Sequence, residues 1–135
     1  MSFSNAAETA VLNQIFVGTA LPWNANTNLW LALHTADPGE AGTAVTSEAT
    51  YTSYARVPVI RASGWTVSNP TISNNALVQF PLSTGGTNTI THCSIVDTAS
   101  GAGNIIVSGV LNSSPLIVSG YQPQFNAGAL VFTLD

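Results

Sequence analysis

The stretch Asn28-Leu29-Trp30-Leu31-Ala32-Leu33-His34-Thr35 decides how this chain folds. Leu29, Leu31 and Leu33 fall on one side of an extended backbone, and Trp30, Ala32 and His34 on the other, because successive strand side chains point to opposite faces. The stretch therefore predicts a strand. Asp37-Pro38-Gly39 closes it with turn chemistry, since proline presets φ and glycine accepts positive φ.

Toward the C-terminus the pattern recurs. Strands are predicted at about 54–60, 65–67, 76–80, 89–96, 104–111, 116–118 and 129–134. Asn69-Pro70 and the turn-forming clusters at 83–88, 97–103 and 112–115 separate them. Pro58 cannot donate to a ladder and so marks an edge strand or a bulge. Residues 42–53, rich in Thr, Ser and Ala with weak periodicity, read as a long loop. Many short strands without an alternation of strands and helices predict a mainly β protein, an antiparallel β-sandwich or jelly-roll-like single domain.

Toward the N-terminus the period lengthens. Ala7, Val11, Leu12, Ile15 and Phe16 recur at three- and four-residue spacings, which predicts one α-helix over 1–18 with a stripe that must pack on something. Asn5 with Glu8 has the capping-box spacing, and Gly18 is the stop. No repeat or linker interrupts the chain, so 1–135 reads as one domain, the helix at 1–18 and the β-sandwich at 28–135.

Composition limits what such a domain can do. Only 6% of residues are charged, against about 25% in ordinary soluble domains. The only basic residues are Arg56 and Arg61, and the net charge is −4, so no basic surface is available for a phosphate backbone or an anionic membrane. A surface of Ser, Thr, Asn and Gly is cheaper to desolvate than an ionic one, which suits packing against other protein. The N-terminus has no charged leader followed by an apolar run, so the expectation is a soluble product made in a cytoplasm.

Catalytic and metal motifs do not assemble. His34 and His92 lie in predicted strands, and His34 reads as a half-buried structural histidine. His92 and Cys93 are neighbours, but on a strand they point apart, which leaves Cys93 as a small core residue. As the lone cysteine it also rules out an internal disulfide. Two carboxylates, Asp37 and Glu40, share a tight turn that could hold a cation weakly, although turn initiation by Asp37 explains the same residues. Gly101-Ala102-Gly103 lacks the lysine and the following helix of a phosphate loop and reads as a hairpin turn. The expectation is a protein that is not an enzyme and has no cofactor and no metal. The interface candidates are Trp23, Tyr51, Tyr54, Trp65, Tyr121 and Phe125, aromatic residues in or beside loops, where such side chains either anchor partners or cap the ends of a sandwich.

The segment Leu29-Trp30-Leu31-Ala32-Leu33-His34-Thr35-Ala36-Asp37-Pro38-Gly39-Glu40-Ala41-Gly42 resembles the signature of a family of short virion structural proteins of tailed bacteriophages. The helix around Asn5-Ala6-Ala7-Glu8, the Tyr54-Ala55-Arg56 element, the hairpin Ile95-Val96-Asp97-Thr98 to Asn104 and a final strand at 130–135 are similar to elements of that family in the same order. The resemblance implies a virion component, in a family whose members are labelled tail-fibre or minor structural proteins. Similar small β-proteins act as capsid cement.

Compactness, a neutral surface and the absence of a shaft of repeats lead to the expectation of a capsid cement or decoration protein. It would bridge major capsid protein subunits on the outer head surface as a homo-oligomer, a trimer ahead of a dimer. The helix and the loop at 42–53 are the expected arms toward a neighbour. The alternative is a tail fibre, adaptor or receptor-binding module. Neither reading involves nucleic acid or membrane.

Overall fold

In the computed structural model, which describes residues 2–133, the chain opens with strand β1 (Ser2–Phe3), helix α1 (Asn5–Leu12) and a π-helical turn (Asn13–Val17). The strands that follow are β2 (Asn28–His34), β3 (Val57–Ile60), β4 (Trp65–Ser68), β5 (Thr71–Asn74), β6 (Val78–Gln79) and β7 (Asn88–Thr89). The last are β8 (His92–Val96), β9 (Ile105–Val110), β10 (Leu116–Ile117), β11 (Gln124–Phe125) and β12 (Val131–Thr133). The strand predicted at 129–134 is thus β12, and its Leu134 lies outside the described residues, as does Asp135.

The alternating stretch at 28–34 forms the strand it predicts and lies inside a five-stranded antiparallel sheet of order β1-β9-β8-β2-β3. Leu31 sits opposite Ile95 and Leu33 opposite Cys93, while Ile95 in turn faces Val107. These five side chains make the inner face. Against it pack Phe80, Ile90, Ile117, Leu130 and Phe132, carried by a second, segmented layer of small antiparallel sheets, β12-β5-β4, β11-β6 and β10-β7. The fold is mainly β, antiparallel and a single domain, as its sequence predicts. Pro58 occupies the edge strand β3, where its missing N–H costs the ladder nothing.

Several boundaries differ from the sequence reading, each for a local reason. The strand expected at 89–96 is cut in two, because Ile90 donates to Pro115 O and Thr91 to His34 O, which passes the chain from one layer to the other. β5 was not expected at all, yet it pairs with both β4 and β12. The single α-helix expected over 1–18 is shorter: Ser2–Phe3 pairs as β1, α1 covers Asn5–Leu12 and π geometry follows. Its N-cap is Ser4, one residue before the expected Asn5, with Oγ accepting from the Ala7 N–H at 3.1 Å, so the Asn5–Glu8 capping box does not form.

The loop at 42–53 has no regular strand, as expected, but it is not an arm. Thr35 donates to Ser47 O and Ala49 donates to Leu33 O, so the loop extends the outer edge of β2. Ala44 is buried against Ala32, Val96 and Ile105 on the outer face of the large sheet, and Ala49 and Tyr51 join the core.

What holds the loop is an ion pair with little access to water. Arg56 donates from Nε to Glu48 Oε1 at 2.6 Å and from Nη2 to Glu48 Oε2 at 2.8 Å, a two-pronged contact that fits the planar guanidinium. The same guanidinium donates to Thr98 O, Thr98 Oγ1 and Gly101 O, which secures the β8–β9 turn. Tyr54 donates to Glu48 Oε1 at 2.9 Å and accepts from the Leu33 N–H at 3.1 Å, tying the pair to β2. Gly103 is required at the foot of that turn, because a Cβ there would collide with Thr98 Oγ1 and Asp97 Oδ1.

Removing one partner leaves the other charge buried and unpaired, which typically costs about 3–5 kcal/mol. Glu48→Ala is therefore expected to lower unfolding stability by about that amount in urea titrations monitored by tryptophan fluorescence. A loss below about 1 kcal/mol, the range of an exposed pair, would contradict the role given to this contact.

Candidate interaction surface

Helix α1 is tied by hydrogen bonds at its beginning and packed through two alanines along its length. Ser4 donates from Oγ to Ile105 O and from its backbone N–H to Ile106 O at 3.2 Å, while Asn5 donates to Glu40 O at 3.0 Å. Ala7 and Ala10, the only buried residues of α1, let it approach the sheet closely and pack on Trp23. The predicted stripe of larger residues does not pack. Beyond Leu12 the backbone bonding widens to π spacing and shifts the phase of the side chains, until Gly18 ends the segment at φ 75°. Residues 12–20 are all exposed. Ile15 is 65% exposed, Phe16 79% and Val17 71%, with Leu12 beside them. The result is a short apolar arm standing off the domain.

A groove of about 300 Å³ lies near the root of this arm. Phe3, Leu29 and Ile106 pack beneath α1 and also line the groove, and Trp65, Val67 and Ile72 of the β4–β5 hairpin close its far side. No lining residue is ionisable. Val67 is 77% exposed at the rim. Trp65 Nε1 is the one buried side-chain polar atom without a hydrogen-bond partner among the described residues. A larger cleft of about 520 Å³ lies over the main core, with Tyr121, Phe125 and Val110 among its walls.

Of the six aromatic candidates, Tyr51, Tyr54 and Phe125 gather around Phe80, and Trp23, Trp65 and Tyr121 are not part of that group. Trp23 is buried under α1, and its carbonyl accepts from Arg61 Nη1 at 2.8 Å. Tyr51 is buried, donates to Pro81 O, and has its phenol pushed up to about 12 by burial. Tyr54 is half-buried; burial first, then the adjacent Glu48 carboxylate, raises its phenol well above the usual range. Tyr51 and Phe125 are brought together around Tyr54 and Phe80, with ring centroids 5.4–6.3 Å apart. Trp65 lines the groove, and Tyr121 lines the cleft with 40% of its surface exposed.

Sequence reasoning missed the groove because it missed β5; the short alternation Thr71-Ile72-Ser73 after Asn69-Pro70 was the available signal. It had Leu12, Ile15 and Phe16 as a stripe, but nothing local in the sequence marks the π turn that exposes them.

His34, Cys93 and Asp37 serve the structure. His34 is fully buried on the outer face of the large sheet, with Nδ1 2.8 Å from Thr46 O and Nε2 2.7 Å from Ser94 Oγ. The carbonyl can only accept, so the proton lies on Nδ1 and Nε2 accepts from the serine hydroxyl. Burial lowers the His34 pKa. Cys93 points into the core away from His92, and burial pushes its thiol up to about 12. Asp37 accepts from the Gly39 N–H at 2.9 Å, the turn its position predicts. Among the described residues no three His, Cys, Asp or Glu side chains come together as a metal site, and no helix is long and apolar enough to cross a membrane.

These features define a class: a small antiparallel β-domain that holds His34 and Cys93 in its interior and exposes apolar side chains, among them a short arm at Leu12 to Val17. The family model described as Podophage GP4 fiber I protein gp80 matches residues 2–133, nearly the whole chain, and the protein belongs to that family of short-tailed phage virion structural proteins. No curated protein sequence matches it.

Ile15→Ser and Phe16→Ser are expected to change unfolding stability by no more than about 0.5 kcal/mol, as for free surface sites, whereas Trp23→Ala should cost about 3–5 kcal/mol. Equal losses in urea titrations would mean that the arm packs on the body. For His34 the depressed pKa fixes the sign of the pH effect. Below the ordinary histidine value of 6.5 the unfolded chain binds a proton that the folded chain resists, so stability is complete above 6.5 and falls as pH drops below it. Unfolding titrations between pH 7.5 and 5.5 should show this slope in the native chain and lose it in His34→Gln.

Proposed function

We propose that this chain is a non-catalytic structural component of the tail-fibre apparatus of a short-tailed bacteriophage. The observation that carries the reading is the family match over residues 2–133, whose description is that of a fibre protein. It favours the tail over the capsid-cement role that compactness and neutrality alone suggest. The architecture supports a structural role in general terms: rigid antiparallel layers, a surface poor in ions, and apolar groups held outward for contact with other protein. Both arginines are engaged internally, Arg56 with Glu48 and Arg61 with the carbonyls of Trp23, Asn24 and Asn26, which fits a protein with no nucleic-acid or membrane partner.

Antibodies raised against the purified chain and coupled to gold provide the test on intact virions. Label confined to the tail region is the expected result. Label distributed over the head would overturn the fibre reading and restore the cement role.

A further inference from the structure

We propose that residues 43–47 form a proton-operated flap over His34, which lifts when the imidazole gains a second proton while the rest of the domain stays folded. This goes beyond a place in the fibre apparatus and does not depend on it, since purified chain is enough to test it. The two histidines of the chain stand directly opposite each other on β2 and β8, on the outer face of the large sheet. His34 is fully buried and His92 half-buried. What closes over His34 is the 43–47 segment, through Thr46 O against Nδ1.

The hydrogen bonds around this ring are complete only for its neutral form. Thr46 O takes the Nδ1 proton, and the Ser94 hydroxyl donates to Nε2. A second proton, on Nε2, turns the serine contact round. The Ser94 hydroxyl is fully buried and has no other partner among the described residues, so its own proton is left without an acceptor. The charge is poorly placed as well. His92 opposes it from the facing strand, and Arg56 opposes it from beyond the loop. Glu48 favours it, but that carboxylate is already engaged by Arg56 and Tyr54. Neither β9 nor the 43–47 segment carries an ionisable side chain that could compensate. Access to water is the remaining relief.

The cover over His34 is also the part that yields most easily. Of residues 43–47 only Ala44 is buried, so lifting them uncovers little apolar surface. They are held to the body by the Ala44 N–H on Gly103 O, by the Thr35 N–H and hydroxyl on Ser47 O, and by the His34 contact itself. Ser47 sits at φ 52°, a left-handed conformation unfavourable for a residue with a Cβ, and lifting releases it. Both ends of the segment stay anchored. Glu48 is held by Arg56, and the Glu40 carbonyl accepts from the Asn5 N–H. A short span between two fixed points, with few bonds and one strained residue, opens by itself without the sheet beneath it.

Hydrogen exchange of the full-length chain, followed residue by residue by NMR, provides the test. The Thr35 and Ala44 amides, bonded across the flap, should exchange through local opening. Their protection should lie well below that of the core amides of Phe80 and Ile90 and should not respond to low urea. Below 6.5 the opened segment binds a proton that the closed one resists. Between pH 7.5 and 5.5 protection at Thr35 and Ala44, corrected for intrinsic rates, should therefore fall by up to about tenfold. His34→Gln, with folding verified by circular dichroism, should abolish that fall. Protection at Thr35 and Ala44 equal to that at Phe80 and Ile90, with the same urea dependence, would overturn the flap, because the proton would then act only through global unfolding. Protection unchanged between the two pH values would overturn it too, and both of these results are read on the native chain alone. A fall that persists in His34→Gln would assign the proton elsewhere and overturn it as well.

Discussion

The contact on which the rest of the structure depends is the shielded pair of Arg56 and Glu48. A chain with two basic residues places one of them between the loop at 42–53 and the β8–β9 turn, where it satisfies a carboxylate, a hydroxyl and two carbonyls. Neither segment has regular ladder bonding of its own over most of its length. Without the guanidinium, the Thr98 carbonyl loses its donor, the Gly101 carbonyl keeps only the Gly103 N–H, and the Glu48 carboxylate is left with Tyr54 alone. Arg61 repeats the device on a smaller scale, gathering three carbonyls at 23–26. Both positive charges of this protein are spent on loop closure, and the surface keeps a few scattered carboxylates such as Glu8, Asp37 and Glu40.

That use of charge explains how the outside differs from that of an ordinary soluble domain. With no lysine, and both arginines turned inward, the described surface has little to keep it apart from another neutral protein surface. The remaining specificity must come from shape and apolar contact. One such feature is the run Leu12 to Val17, where α1 is fastened by Ser4 and then released; others are the groove lined by the β4–β5 hairpin and the cleft over the main core. A virion component assembled once and never recycled is well served by such surfaces, because many modest contacts between fixed neighbours add up to strong retention.

Where the chain alternates with period two over a buried pair of faces, the fold was legible. The strand at 28–34, the turn at Asp37-Pro38-Gly39, the edge position of Pro58 and the 97–103 hairpin all follow from rules that act within a few residues. The structural role of His34 and the core position of Cys93 followed from the same alternation. Long-range bonds decided the rest. Nothing near Ser4 announces that Ile105 and Ile106, a hundred residues away, will fix where the helix begins. Nothing near Ala44 or Tyr51 shows that a Thr- and Ser-rich loop will be drawn into the core by an arginine that follows it. The choice between head and tail was less legible still, since compactness and neutrality suit both places; the family match leans to the fibre.

The number of copies per virion, measured by quantitative mass spectrometry against the major capsid protein, tests the central claim most directly. A component of the tail-fibre apparatus should be present at a small multiple of the tail's symmetry, far below the capsid subunit. A ratio approaching one to one would contradict the account and place the chain across the shell.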